Sequence, residues 1–390
     1  MDIFDIRMGN IRQVMSVLRF SAGTTRKDIA QLTNLSFSTV GKICTILESM
    51  GVIEDFSMPS YRVGRTPKLV RIKQSGWLSI CLNIQKRDQM DLAIISINNR
   101  VLLFEQYDAS ACATMEELIL FAHRKFEEKR QTLPWMKEAN FIGVGVSVSG
   151  VFDKESRRIV NSAIPAMENA PIADAVRRIF QLPCYADNEA NLCAIAMSQK
   201  ETDVQNLIYL HLSEGAGVGV VCEGSLLRGN RGYAAEIAHM PLGKPERKCP
   251  SCGNFGCIEP DLCTQGLVTD SGIRVCGNTY TEQWNQIAGI ILTQETENIT
   301  RFIRQKGELI GLTLSILVNL FDPQEILIGG EISAIFPKLK PVIEALLRQR
   351  CAVFSRAQVP ILCDPDSAET IILGLNQMMF ELWDPLAGVE

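Results

Sequence analysis

Between His239 and Glu259 the chain reads "HMPLGKPERKCPSCGNFGCIE", so one of its three histidines and three of its thirteen cysteines share a single short stretch. Thiolate sulfur and imidazole nitrogen suit tetrahedral Zn2+, and Cys249-x2-Cys252-x4-Cys257 with His239 upstream supplies a Cys3His ligand set. The glycines of "CGNFGC" favour tight turns over helix or strand. Structural zinc is the expected cofactor. A loop of unrelated buried thiols, the competing reading, fits this spacing poorly.

A second group of polar residues is spread wider. "YADNEANLCAIAMS" puts Asn188, Glu189 and Asn191 directly before a helical run, "RGYAAEIAH" adds Glu236 and His239, and "GCIEP" adds Glu259. Carboxylates and amides of this kind suit bidentate hydrogen bonding to sugar hydroxyls, although each alone fits an N-cap or a solvated surface acid equally well. Glycine-rich turns in "GVGVSVSG", "LSEGAGVG" and "ILIGGE" follow strand-like runs and could bring backbone N–H groups to phosphate or sugar. His211 in "IYLHLSE" reads as a satisfied strand histidine and His123 as a helix-surface one, and neither is assigned a function.

These groups need elements to hold them. "LSICLNIQ", "MDLAIISIN", "FIGVGVSVSG", "NLIYLHLSE", "GVGVVCEG" and "EILIGG" are short, apolar and β-prone. "MEELILFAHRKFEEKR", "ENITRFIRQKGELIGLTLSILVNLF" and "SAETIILGLNQMMFELW" are long and helix-periodic, so an α/β layered body is expected over residues 74–390. With 46% apolar and 21% charged residues the chain has an ordinary globular composition. It carries no run of eighteen uncharged apolar residues, so no membrane span is expected. The acidic, mixed start "MDIFDIRMGNIRQ" is unlike a secretory signal, and the odd, irregular cysteine set points to a reducing cytoplasm.

Charge sets the first 73 residues apart. They hold eleven Lys/Arg and six Asp/Glu, a balance of +5, against −10 for the remainder. A small basic segment on an acidic body suggests that this part meets a polyanion. "TTRKDIAQLTNLSFSTVGKICTILESMGVIEDF" predicts two helices joined by a tight turn. Thr25 caps the first with Asp28 completing a box, Ile29, Ala30 and Leu32 form its apolar side, and Ser36 caps the second. Val40, Ile43 and Leu47 would face the core, leaving Ser38, Thr39, Lys42 and Thr45 outward, and Gly51 would stop the helix. Short hydroxyls at the start of a second helix, with a lysine one turn on, suit a recognition helix in a major groove. Arg62, Arg65 and Lys68 between the strand-like "VIEDF" and "KLVRI" read as the basic tip of a wing. A winged helix-turn-helix over 1–73, with Ser36, Ser38, Thr39, Lys42, Arg62, Arg65 and Lys68 toward double-stranded DNA, is the expectation. A plain helical hairpin is the alternative.

In sequence, "LSEGAGVGVVCEGSLLRGNRGYAAEIAHMPLGKPERKCPSCGNFGCIEP", "NLFDPQEILIGGEIS" and "DSAETIILGLNQ" resemble the ROK family of repressors and sugar kinases over almost the whole chain, and the winged helix resembles its transcriptional-repressor branch. The resemblance implies an actin-like, two-lobed sugar-kinase fold with a sugar site between the lobes and a C-terminal helix, about 366–384, returning to the first lobe. His239, Cys249, Cys252 and Cys257 would hold structural zinc. Asn188, Glu189, Glu236, His239 and Glu259 fall on sugar-contacting positions, and Asn161 stands near a further sugar-binding asparagine of the kinases. The metal would then fix an irregular loop so that its side chains are preorganised. Here the loop departs by one residue: the family's Cys-x-Cys is Cys-x-x-Cys, while Cys249 keeps its distance from His239.

The family's kinases also carry an Asp-x-Gly-Gly-Thr turn after the body's first strand. This chain has "LNIQKRDQMDL", with no glycine pair to let a phosphate approach the backbone. Glu189 replaces the kinases' catalytic Asp, and "SEGAGVG" lacks their threonine. Sugar-binding positions persist while ATP-binding ones are gone, which predicts a non-enzymatic, sugar- or sugar-phosphate-responsive DNA-binding repressor of carbohydrate-utilisation genes. It would act as a homodimer or homotetramer, because paired half-sites need paired readers. A residual sugar kinase that also binds DNA and a constitutive DNA-binding protein are the alternatives.

Overall fold

A computed structural model describes residues 3–57, 68–74, 76–84, 86, 88–153, 155–156, 158–160, 162, 164–200 and 203–385. Arg62 and Arg65, expected at the wing tip, and Asn161, expected near the sugar, lie outside these residues.

The chain begins with α1 (Ile3–Arg19), α2 (Arg26–Thr33) and α3 (Phe37–Ser49), followed by the antiparallel pair β1 (Ile53–Phe56) and β2 (Leu69–Ile72). Thr25 caps α2 by accepting from the Asp28 amide, and Ser36 caps α3 by accepting from Thr39. Asn34 between the helices and Gly51 after α3 take left-handed backbone, as a tight turn and a helix stop require. Ile29, Val40, Ile43 and Leu47 are buried. Leu32 is not on the apolar side of α2 as expected: it is 70% exposed, because α2 ends one residue later and Leu35 in the turn packs on the core instead. Arg26 ties the unit together, pairing with Glu48 of α3 at 3.0 Å and Asp55 of β1 at 2.9 Å.

The body opens with β3 (Trp77–Ile84), β4 (Gln89–Ser96), β5 (Val101–Asp108), α4 (Met115–Thr132), α5 (Pro134–Lys137) and β6 (Asn140–Val148). It continues with the small hairpin β7 (Val151–Asp153) and β8 (Arg158–Val160), then α6 (Ile172–Phe180), β9 (Cys184–Asn188) and α7 (Glu189–Lys200). A second set follows: β10 (Leu207–Leu212), β11 (Ala216–Cys222), β12 (Ser225–Leu226), α8 (Glu259–Leu262), α9 (Thr264–Ser271), α10 (Tyr280–Thr293) and α11 (Glu297–Phe321). Then come β13 (Glu325–Gly330), α12 (Phe336–Arg350), α13 (Ala352–Ala357), β14 (Ile361–Cys363) and α14 (Ser367–Leu382).

One topology is used twice. The first sheet runs β5-β4-β3-β6-β9 and the second β12-β11-β10-β13-β14, each an antiparallel meander extended by two parallel strands. Strands β3, β6, β10 and β13 are buried almost throughout, which is why they read as continuous apolar runs. This is the two-lobed α/β body expected from the sequence.

Two close approaches set the lobes against each other. A Cβ at Gly219 of β11 would sit 2.2 Å from the Ala190 carbonyl oxygen, and one at Gly374 of α14 would sit 2.1 Å from that of Leu192. Only glycine allows α7 to lie so tightly between the second sheet and the last helix. Although it ends the chain, α14 belongs to the first lobe: Asn376 accepts from Ser79 Oγ at 2.6 Å and donates to the Ser96 carbonyl at 3.0 Å.

The winged unit and the first lobe share one continuous hydrophobic core. Arg19, the last residue of α1, is 3% exposed. It donates to Gln377 on α14 and, at 2.6 Å, to Asn99, with its guanidinium 4.3 Å above the Phe380 ring. Beside it the Trp77 indole donates to the Met50 carbonyl at 2.9 Å and packs 5.0 Å from Trp383. No described helix is long and apolar enough to cross a membrane.

Candidate functional site

The outer face of α3 carries the residues expected to meet DNA. Ser36, Ser38 and Lys42 are exposed, while Thr39 is half-buried and shares a 2.8 Å hydrogen bond with Ser36. Ser36, Ser38 and Lys42 are therefore more accessible than Thr39. Lys68, at the foot of the wing, is exposed and lies 3.8 Å from Asp55.

In the body, Asn188, Glu189, Glu236, His239 and Glu259 come together as walls of one cleft between the lobes. The end of β9 delivers Asn188, and α7 starts at Glu189. Asn188 is fixed from both sides: its amide nitrogen donates to the Gly150 carbonyl at 2.9 Å and its oxygen accepts from the Ala190 amide at 2.9 Å. Glu236 lies just ahead of the short 3-10 turn Ile237–His239, and Glu259 opens α8. The inner cleft has a volume of only about 30 Å³, room for about one water and not for a sugar ring.

Electrostatics in the cleft follow burial. Desolvation, reinforced by Glu331, pushes the Glu189 carboxyl up to about 8, so near neutrality it is mostly protonated. Burial and then the neighbouring Glu259 raise Glu236 in the same direction. A raised carboxyl contributes stability that is full below its unfolded value, near 4.3, and is lost as pH climbs through the folded value. Glu189→Gln removes that dependence. The gap in stability between variant and parent is therefore expected to widen in the variant's favour by roughly 1.4 kcal/mol per pH unit between pH 5 and 8, then level off. Thermal unfolding of both proteins across that range checks it, and parallel profiles would exclude a shifted Glu189.

His211 departs from expectation. It is buried on β10 and lines the cleft, but neither ring nitrogen has a hydrogen-bond partner among the described residues. Burial pushes its pKa down, so the ring is neutral and offers one donor and one acceptor. The buried Ser213 hydroxyl, two residues on, is likewise without a partner among the described residues. The sequence reads His211 as a satisfied strand histidine, and nothing local shows the cleft that it faces.

The loop from His239 to Cys257 brings its four ligand atoms within 4.8 Å of one another. Cys252 and Cys257 sulfurs are 3.6 Å apart, and Cys249 Sγ lies 3.7 Å from His239 Nδ1. Tetrahedral Zn–S bonds of about 2.3 Å place ligand sulfurs roughly 3.7 Å apart, so these two pairs already stand near the separation that the metal sets. With Nδ1 on the metal side, His239 turns Nε2 toward Glu236, 3.7 Å away. Cys249 thus keeps its place in the longer Cys-x-x-Cys loop. Ser251, between the two cysteines, donates to the cleft carboxylate Glu259. Behind the loop, Arg247 pairs with Asp261 at 2.7 Å and with Asp270 at 2.5 Å, and the buried Lys306 pairs with Asp270 at 2.6 Å. This ion cluster, together with Ser251, was not foreseen, since nothing in the local sequence tells these acids from solvated ones.

The ROK family profile matches residues 86–369, most of the chain and nearly all of the body. The chain is a member of the ROK family. It is 25% identical over 369 residues to a xylose repressor of Caldicellulosiruptor bescii, with 91% of each protein covered. It is also 25% identical over 354 residues to the DNA-binding transcriptional dual regulator NagC of Escherichia coli, covering 86% of this chain and 84% of that one. Among solved structures, a ROK family transcriptional regulator described as a homologue of the E. coli MLC protein superposes with a TM-score of 0.77 at 21% identity, over 96% of both chains. A ROK family glucokinase from Streptomyces griseus, in complex with glucose and AMPPNP, superposes with a TM-score of 0.62 at 18% identity over 77% of this chain and 98% of its own. The regulator thus shares the ROK fold over nearly the full length, and the glucokinase over a shorter part.

Proposed function

We propose that this ROK protein is a cytoplasmic, sugar-responsive DNA-binding repressor of carbohydrate-utilisation genes, acting at least as a homodimer, with residues 1–73 reading operator DNA and residues 74–390 binding the effector. One observation carries the reading: an outward α3 face with Ser38 and Lys42 is joined through a continuous core to a lobe whose cleft gathers Asn188, Glu189, Glu236, His239 and Glu259. The repressors that resemble it over most of their length support the same conclusion.

His239, Cys249, Cys252 and Cys257 would hold structural zinc, which supplies a fixed scaffold for the loop rather than a reacting centre. The protein's own contacts do the rest. Ser251 orients Glu259, and Glu236, at the start of the same short turn, lies 3.7 Å from His239. A cleft of about 30 Å³ admits a sugar only if the lobes part, so the effector favours a more open arrangement by its differential affinity for it.

Two features speak against phosphoryl transfer. Glu189 stands where the kinases have their catalytic Asp, and because it is mostly protonated near neutrality only a minor fraction is a carboxylate basic enough to take the proton of a sugar hydroxyl. At the hairpin that carries the kinases' phosphate turn, Lys86 instead reaches Glu331 of the other lobe at 3.4 Å. Turnover with magnesium-ATP and a sugar panel, in the parent and in Glu189→Asp, tests this; restored turnover in that variant would make the protein a dormant kinase.

The first experiment is binding to the DNA upstream of the protein's own gene, titrated with and without sugars. Tight binding changed by one sugar supports the proposal, and tight binding indifferent to all of them favours a constitutive binder. Lys42→Ala is expected to weaken binding across sequences and to lower the salt slope by about one. An unchanged slope would remove Lys42 from the interface.

A further inference from the structure

Next to the inner cleft lies a second, much larger cavity of about 350 Å³ that shares Asn188 and Glu236 with it as common walls. Three parts of the molecule meet around it: Phe152 and Tyr185 from the first lobe, Arg228 and Ala234 from the second, and Met378 and Glu381 from α14. Its volume is that of a complete small-ligand site, far more than a single substituent on a sugar ring fills. The cavity pairs aromatic surface with hydrogen-bonding groups, a combination that suits the apolar faces and hydroxyl edges of a pyranose.

Charge narrows the class. Arg228 is the one cation among the described residues lining the cavity, and Asp187 already holds it in an ion pair. Glu236 and Glu381 are the other ionisable carboxyls there. Among the described residues the inner cleft adds Glu189 and Glu259 and no lysine or arginine. Among the described residues a phosphate would therefore find no unpaired lysine or arginine on either side. A neutral ligand meets no such penalty.

We propose that the effector is a neutral disaccharide, one ring in the inner cleft once the lobes part and the second in this outer cavity. The assignment rests on the sugar-responsive reading above and sharpens it. The outer ring would also touch the device that holds the DNA-binding unit. Glu381 in the cavity wall accepts from Gln377 Nε2 at 2.6 Å, and the carbonyl oxygen of the same Gln377 accepts from buried Arg19 at the end of α1. Two hydrogen bonds thus separate the cavity from the winged helix, and a saccharide hydroxyl that competes for Glu381 loosens the second by freeing the first.

Calorimetry on the full chain tests the class, with xylobiose, cellobiose, maltose, lactose and sucrose set against xylose, glucose, galactose, N-acetylglucosamine and the hexose 6-phosphates. One neutral disaccharide is expected to bind at least about tenfold tighter than either of its constituent rings, the affinity scale of about 1.4 kcal/mol. Ala234→Phe, which fills the cavity, should cancel that advantage and leave monosaccharide affinity within a few-fold. Leu382→Trp, at the exposed rim, should act in the same direction and guards against a folding defect in the first variant. A monosaccharide or N-acetylglucosamine that binds as tightly as every disaccharide would overturn the two-ring proposal and leave the sugar-responsive reading standing. A hexose 6-phosphate that binds tightest would overturn the neutral class. If no saccharide of any kind binds, the sugar-responsive reading falls with it.

Discussion

Replacing Cys257 with serine is expected to release the metal and abolish the sugar response while the protein stays folded. The loop has two independent anchors. One is the Cys3His set, whose four ligand atoms lie within 4.8 Å. The other is the ion cluster of Arg247, Asp261, Asp270 and Lys306, in which Asp270 is held far below the usual carboxylate range by Arg247 and Lys306 in spite of its burial. Losing one thiolate removes the first anchor, because three donors no longer close a tetrahedral structural site. The second keeps the backbone near α8 and α9, so the thermal midpoint should fall by only a few degrees. What does change is position. His239 is free to turn, and Ser251 no longer holds Glu259, so two walls of the cleft lose their orientation. Zinc analysis by atomic absorption, with DNA binding measured in parallel, should show metal near zero, DNA affinity retained and the effector shift gone. Cys276→Ser, at an exposed cysteine outside the loop, should keep full metal. Stoichiometric zinc in Cys257→Ser would sink the ligand assignment.

Much of this architecture was legible because its cause is local. The capping hydroxyls of Thr25 and Ser36, the apolar runs of β3, β6, β10 and β13, and the periodic helices α4, α11 and α14 all follow from period and end signals read within a few residues. Helix α1 was equally readable and was missed: Met8, Ile11, Val14, Met15 and Leu18 recur at three- and four-residue steps and are all buried. Strand β5 sits at the edge of its sheet, where "VLLFEQYD" alternates half-buried and exposed positions and gives a weaker signal than the central strands.

The site divides in the same way. Cysteine spacing pointed to the metal loop, since the ligands lie within nineteen residues of one another, from His239 to Cys257. The roles of His211 and Ser213 depend on an inter-lobe cleft that no local pattern encodes. The same holds for Asp270, which resembles any solvated helix acid until Lys306 and Arg247 reach it from distant parts of the chain. Sequence pattern reports which way a side chain faces. It does not report what arrives from the far end of the chain to meet it.

Arg19 is the extreme case, and its replacement should have the largest effect on signalling. Its partner Gln377 is 358 positions away, so an arginine ending the first helix reads as an ordinary helix-terminal cation. In the folded protein it is buried enough that desolvation lowers its pKa to about 10, yet it stays charged at neutral pH, held by Gln377, Asn99 and the Phe380 ring. Arg19→Leu removes two hydrogen bonds from a charged donor and the ring contact. It leaves the Gln377 carbonyl unpaired, while Asn99 keeps a 2.7 Å bond from Asn376. Set against the apolar burial that leucine regains, the net cost is about 2–4 kcal/mol, concentrated at the joint between α1 and α14. The winged unit has its own buried core of Ile29, Val40, Ile43, Leu47 and Ile72, so it should still bind DNA. The α7–α14 stack that starts at Glu189 should no longer reach it. A saccharide that shifts the parent's DNA affinity is therefore expected to bind Arg19→Leu normally and to shift its DNA affinity little or not at all. Arg19→Lys separates charge from geometry: an ammonium restores a buried cation but cannot fork to Gln377 and Asn99 together, so it should regain stability without regaining the response. A full response in Arg19→Leu would mean that the lobes signal through another contact, with the Trp77–Trp383 pair the next to test.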